Sequence, residues 1–429
     1  MIALVLLLVL QVPPGAADSL TLTGAIELGR SRAVAVTLAG LGARVAEARA
    51  GQRRAEVLPN VSFGGTTSRQ TKNLDEFGLP FAKGVTDPFS VFVFQLRASQ
   101  TVLDPAAFAR LRAAKDSVVA AGLDVETAGL LAGTTAGIAF LRAVSAEETV
   151  VAREADSVVA ARLLQGSREA LQAGVIPAID LTRSEVHVAS VRAQLAMARN
   201  QRARTRLDLL RTVDLPPDTV LVLSRSLDEA TAGLPADAAA AVRFGLDHRS
   251  DLRAERQRLA VLERGRAAIR AEHLPSVVAS GAYSESGKEA GHLKGTYAVQ
   301  LGLTVPILDG FRRQLRSREQ GLRIEAQALR VRDLERQIDT DVRQALLDLA
   351  SAREQAALAA ERGTLAEREL RQVEERFKAG VAGSLETVTA QGGLVTARDA
   401  MIQGRVGLAL ARVNALRALG VLDQMRNQR

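Results

Sequence analysis

Hydrophobic positions along this chain follow two different periods, and the change from one to the other divides it. Tyr297, Val299, Leu301, Leu303 and Val305 alternate strictly with Thr296, Ala298, Gln300, Gly302 and Thr304. A two-residue period puts one set on each side of a pleated strand, here over the length needed to span a membrane. Phe92, Phe94 and Leu96 alternate less cleanly with Val93, Gln95 and Arg97, and two further segments, 60–67 and 276–284, complete the set. Four strands are expected, at about 60–70, 89–100, 276–286 and 295–306. The loop between the first two, about 70–88, is the longer one and carries Lys72, Asp75, Glu76 and Lys83.

The rest of the chain reads as helix. No proline occurs between Phe108 and Ile176 or after Pro306, as long uninterrupted helices require. Helices over 105–171 and 310–378 would each run roughly 100 Å, at about 1.5 Å per residue. Shorter ones over 22–57 and 179–213 would span roughly 50–55 Å on the same rise. Two short helices laid end to end match one long helix, which points to a tall helical cylinder. Asp104 and Pro105 form a helix start, with Asp as N-cap and Pro at the first helical position. Asp309 is expected to cap the second long helix in the same way.

The chain also repeats itself. AEVLPNVSFGGTTS from Ala55 recurs as AEHLPSVVASGAYS from Ala271. Gln95-Leu96 followed by Leu103-Asp104 recurs as Gln300-Leu301 followed by Leu308-Asp309, and Ala173-Gly174-Val175 recurs as Ala379-Gly380-Val381. Landmarks in the same order twice indicate a tandem duplication. We therefore divide the chain into a first repeat at 18–214, a linker at 215–235 and a second repeat at 236–429.

Residues 2–10 are apolar and lead through Pro13 and Pro14 to Gly15-Ala16-Ala17, which reads as a signal peptide over 1–17. A short buried helix is the other reading. No other segment offers about 18 unbroken apolar residues, so a membrane-embedded form of this chain would have to use strands. Six of the eleven phenylalanines fall between Phe63 and Phe94. That enrichment suits lipid-facing strands, although a small soluble hairpin core would also account for it. Four strands cannot close a barrel around a lumen, and an open sheet edge cannot face lipid, so lipid-facing strands need completion by other copies of the chain.

Composition and charge narrow the chemistry. The chain has no cysteine and no tryptophan, which removes disulfides, thiolate catalysis and Cys-ligated metals. His187, His248, His273 and His292 are scattered and form no ligand cluster, so no metal or cofactor is expected. The formal charge is +8, but the basic residues are interleaved with Glu and Asp and have no aromatic platform beside them, which argues against nucleic-acid binding. No nucleophile, base and oxyanion arrangement and no phosphate-binding glycine loop can be read, so an enzyme is not expected.

Taken together, these residues resemble the outer-membrane efflux proteins typified by TolC. The likeness rests on LTLTGAIELGRSRA from Leu20, the Leu58-Pro59 and Leu274-Pro275 pairs, VPILDGFRRQ from Val305, the two Ala-Gly-Val turns and the stretch beginning RSDLRAERQ at Arg249. It covers nearly the whole mature chain. It implies a mainly α fold with a β-barrel part: a homotrimer whose twelve strands form an outer-membrane barrel above a long periplasmic helical barrel. It also implies partners, namely a periplasmic adaptor and an inner-membrane pump. Two departures stand out: no Cys follows the signal region for a lipid anchor, and with only Tyr283 and Tyr297 as tyrosines the aromatic girdle is sparse. A periplasmic adaptor or structural coiled-coil protein is the competing reading, and it leaves the four duplicated strands unexplained.

The turns at Gly174-Val175 and Gly380-Val381 reverse long helices into shorter ones, and a left-handed glycine at a helix end is by itself a sufficient reason for them. By resemblance these turns are the periplasmic tips where the adaptor docks. Asp180 and Glu386 follow the two glycines at equal distance, in first helical turns where the macrodipole favours a carboxylate. By resemblance such an acid lines the pore entrance, with Glu386 the preferred candidate, in a ring of three that favours cations. One turn on, where the family can place a second acid, this chain has Thr389, and Ala382 stands where a basic partner is usual.

Overall fold

The computed structural model describes residues 19–78, 81, 83–227, 237–379, 381 and 383–422. The signal segment 1–17, Gly380, Ala382 and the end of the linker lie outside the described residues. In sequence order the elements are α1 (Leu22–Arg32), α2 (Val34–Ala55), β1 (Asn60–Gln70), β2 (Phe89–Leu103), α3 (Pro105–Gln172) and α4 (Ala178–Thr212). They continue as α5 (Ala238–His248), α6 (Ser250–Ala271), β3 (Ser276–Gly287), β4 (Lys294–Thr304), α7 (Arg312–Lys378) and α8 (Ser384–Leu419). The succession helix, helix, strand, strand, long helix, helix occurs twice.

Two compact units divide these elements: 41–123 with 253–333, and 1–40 with 124–252 and 334–429. The strand-bearing unit holds one antiparallel sheet in the order β1-β2-β3-β4. Its central pairing, β2 with β3, joins the two halves of the sequence. Register decides what each face carries, because directly opposed residues share a face. Phe63 lies opposite Leu96, Leu96 opposite Tyr283, and Tyr283 opposite Tyr297. Two residues along, Val61 and Ala98 align with Gly281 and Val299. The middle of one face is therefore apolar, with Phe63 and Phe94 stacked at 6.4 Å between ring centres and Tyr297, Val299 and Leu301 exposed, while Thr67 and Glu285 lie on the same face toward the hairpin turns. The other face carries Ser62, Arg97, Gln95, Ser284 and Gln300. β1 and β4 are the sheet edges.

Helix starts follow their caps. Asp104 accepts a hydrogen bond from the Ala107 N–H at 3.0 Å, as an N-cap should. The second long helix begins at Arg312, two residues later than expected, because Gly310 and Phe311 both adopt φ near +63°. Two left-handed residues in succession cannot belong to a right-handed helix. Asp309 still caps, accepting from the Arg313 N–H at 3.1 Å and Nε at 2.7 Å. Buried Arg313 also donates to the Glu272 carbonyl at 2.9 Å, tying the exit from β4 to the end of α6.

The first short helix, expected unbroken over 22–57, is two helices. Ala33, at φ −56° and ψ 137°, separates α1 from α2, and Arg249, at φ −65° and ψ 120°, separates α5 from α6. The two breaks lie equally far ahead of Pro59 and Pro275. Neither break contains glycine or proline, so packing must decide it. A Cβ added to Gly29 would stand 2.8 Å from the Ala132 carbonyl oxygen, so α1 is pressed against α3 through its buried face of Leu22, Ala25 and Ile26. At Arg249 the guanidinium is held by Asp251 at 2.6 Å and Asp341 at 2.9 Å.

In the strand-free unit, Phe140, Leu141 and Val144 of α3 are fully buried, as are Leu209 and Leu210 of α4 and Ile338 of α7. The linker is tied down by its backbone. The Leu20 N–H donates to Val222 at 2.7 Å and the Ser224 N–H to Leu20 at 2.8 Å, while Arg206, Arg405 and Arg412 donate to its carbonyls.

Candidate docking tips and entrance acids

Each long helix ends with the same six-residue backbone hydrogen bond, from Val175 to Ala170 and from Val381 to Arg376. After α3, the Gly174 N–H donates to Leu171 at 3.0 Å and the Val175 N–H to Ala170 at 2.9 Å, with Gly174 at φ +72°. This is a Schellman ending, in which a left-handed residue lets the last free carbonyls find donors. After α7, the Val381 N–H reaches back to Arg376 at 3.0 Å. Val175 and Val381 are both exposed, one apolar side chain at each tip. Gly380 lies outside the described residues.

The two candidate acids do not behave alike. Asp180 is tucked in, its side chain 13% exposed, and accepts from Arg183 on its own helix at 3.1 Å. Glu386 is 49% exposed, and among the described residues its cation partner is Arg376 of the preceding helix, 3.8 Å away. Exposed pairs of that length are weak and screened by salt, so Glu386 keeps most of its field. Thr389 donates its hydroxyl to the Leu385 carbonyl at 2.8 Å and adds no charge. Of the three entrance candidates, Glu386 alone presents a charge that the described residues leave largely uncompensated.

Further up the same helices lies an ionic cluster that sequence reasoning passed over. Asp156 of α3 is 2% exposed and accepts from Arg153 at 2.7 Å and from Arg398 of α8 at 2.8 Å. Arg153 also pairs with Asp399, and buried Gln391 donates to the Asp156 carbonyl at 3.2 Å. Toward the tip, Leu370, Ala390, Leu394 and Ala397 pack into an apolar cluster with Val159. α3 comes from the first half of the sequence and α8 from the second, so the cluster joins the halves as the β2–β3 pairing does.

A helical body with duplicated turns and a sheet apolar on one face can be compared with known families. The family model described as outer membrane efflux protein matches residues 26–213 and 245–421. The chain belongs to this family. Its members are channel-forming efflux proteins of the outer membrane, and that is the role and location of this chain.

A Pseudomonas putida protein described as the toluene efflux pump outer membrane protein TtgC is 25% identical over 393 residues, covering 86% of this chain and 76% of that protein. The antibiotic efflux pump outer membrane protein ArpC of Pseudomonas putida matches to the same extent, at 25% identity over 393 residues. Among solved structures, the CusC channel superposes with a TM-score of 0.82 at 16% identity, over 96% of this chain and 95% of that one. The open-state MtrE channel of Neisseria gonorrhoeae gives 0.80 at 21% identity, over 95% and 91%. These matches favour the channel over the periplasmic adaptor.

Proposed function

We propose that three copies of this outer membrane efflux protein close a twelve-stranded barrel, with their helices as the periplasmic part of one duct. The observation that carries this reading is the sheet: one largely apolar face and two edges, β1 and β4, that end without a partner among the described residues. Unpaired edges have no place in hydrocarbon, and β4 of one copy runs antiparallel to β1 of the next. Exposed heptad-like stripes add support. Val34, Leu38, Leu41 and Val45 on α2, which buries nothing, and Leu315, Leu322 and Leu329 on α7 are spaced for helix-to-helix packing.

In this reading the tips at Gly174-Val175 and Gly380-Val381 dock a periplasmic adaptor that links the duct to an inner-membrane pump. Glu386 forms the entrance ring, with Asp180 and Thr389 in helix-start roles. The duct passes cargo without chemistry, metal or cofactor of its own. The boundaries 18–214, 215–235 and 236–429 mark the duplication, which the twofold succession of elements supports.

The absence of cysteine makes the test clean. One cysteine placed in β1 and another scanned along β4 should, in outer-membrane fractions, oxidise into covalent dimers and trimers at one register only. Monomers at every register would refute the ring.

A further inference from the structure

Within the strand-bearing unit, α2, α3, α6 and α7 line an open groove of about 800 Å³, a volume in the range of small-molecule sites. Five arginines line it, Arg49, Arg53, Arg110, Arg316 and Arg323, against three glutamates. The glutamates are already engaged. Glu272 takes Arg316 in a two-point contact at 2.8 and 3.2 Å, Glu56 takes Arg53 at 2.6 Å, and Glu319 takes Arg323 at 2.6 Å. One guanidinium is left over, and a second is held only by long ion pairs. Among the described residues Arg49 has no carboxylate partner. Arg110 has Glu56 at 3.8 Å, Asp104 at 3.5 Å and Glu272 at 3.8 Å, all long for a hydrogen bond, so its donors are largely unspent. Between the arginines the wall is apolar, with Ala113, Leu262 and Ile269.

We propose that this groove binds amphipathic organic anions, with the acid group on Arg49 and Arg110 and the apolar body against the Leu262 and Ile269 wall. A planar guanidinium matches a carboxylate or sulfonate in two-point geometry, and a spare guanidinium beside apolar surface favours such a ligand over a free inorganic anion. A cation would meet a net positive lining and find every glutamate taken. The site lies in a single chain, so binding can be measured without assuming the trimeric duct.

The test is fluorescence anisotropy on the purified full chain in nanodiscs. Carboxyfluorescein is the anionic probe, and rhodamine 6G is a cation on the same ring framework. Carboxyfluorescein should bind saturably, weaken as salt is raised, and lose affinity at least tenfold in Arg49→Gln/Arg110→Gln. Arg49→Gln alone should lose several-fold with helicity intact, since Arg49 holds no partner whose loss could unfold the protein. Arg362→Gln, on an exposed face of α7 in the other unit, should change nothing. Equal binding of rhodamine 6G, or less than twofold loss in the double variant with helicity intact, would overturn the proposal.

Discussion

Replacing Asp156 with alanine tests whether the ionic cluster between α3 and α8 is sealed from water. Asp156 is 2% exposed and neutralises Arg153, whose side chain is 8% exposed, and Arg398. Without it Arg153 keeps only Asp399, and Arg398 is left with Glu367 at 4.0 Å. Removing one partner from a buried ion cluster costs about 3–5 kcal/mol, a large part of a domain stability of about 5–15 kcal/mol. Replacing the whole cluster is a different perturbation. Arg153→Met, Asp156→Leu and Arg398→Met together leave unpartnered only Asp399 and Glu367, both nearly half exposed and so solvated, and such exchanges are neutral or stabilising by about 1–4 kcal/mol. Glu154→Ala is the exposed control: Glu154 meets Arg199 at 2.9 Å with both side chains at least half exposed, a pair worth about 0–1 kcal/mol. Urea and thermal unfolding of the purified protein at one protein concentration would rank the variants. A cost under about 1 kcal/mol for Asp156→Ala would mean that water reaches the cluster and that the burial argument is wrong.

Other outcomes are expected at the caps, the tips and the entrance. In planar bilayers Glu386→Gln should lower cation preference while Asp180→Gln leaves it unchanged; the same change in both would refute the assignment of the field to Glu386. Val175→Arg with Val381→Arg should abolish export yet leave outer-membrane assembly intact, and normal export would remove the tips from docking. Asp214 holds φ +54° at the end of α4, where the second half of the chain has Gly420, so Asp214→Gly should stabilise by about 1 kcal/mol in thermal unfolding. Asp309 is pulled in two directions: partial burial raises its pKa, but the hydrogen bonds and charge of Arg313 outweigh this and hold it below the usual carboxylate value. Its contribution is therefore complete above an unfolded pKa of about 3.9 and fades as pH falls through the lower folded value. Asp309→Asn should flatten that part of the acid-stability curve, and an unchanged curve would count against the linkage.

The strands were legible because a sheet with one apolar and one polar face enforces a two-residue period, as Tyr297 to Val305 display. Both long helices were legible from the distribution of proline alone. The breaks at Ala33 and Arg249 were not, because their cause is the close approach of Gly29 to α3 and the pairing of Arg249 with distant Asp341, neither of which leaves a local mark. The cluster at Asp156 stayed hidden for a related reason: Arg153 and Asp156 are spaced like any solvated pair on a helix, and only packing shows that water is excluded. The difference between Asp180 and Glu386 was within reach. Three residues after Asp180 stands Arg183, which neutralises it, whereas three after Glu386 stands Thr389, which cannot.

The β2–β3 pairing bears on how the proposed ring assembles. Each copy brings two hairpins already seated side by side, so half of the seams between hairpins around the barrel form within a chain, independent of concentration. A ring of separate halves would need six bodies to meet, with five losses of translational and rotational freedom in place of two, each worth about 4–15 kcal/mol. For a protein diluted in a membrane, tandem fusion thus changes closure from a rare many-body encounter into the joining of three pieces. It also implies that cutting the chain within the linker would harm ring formation at low expression far more than at high expression.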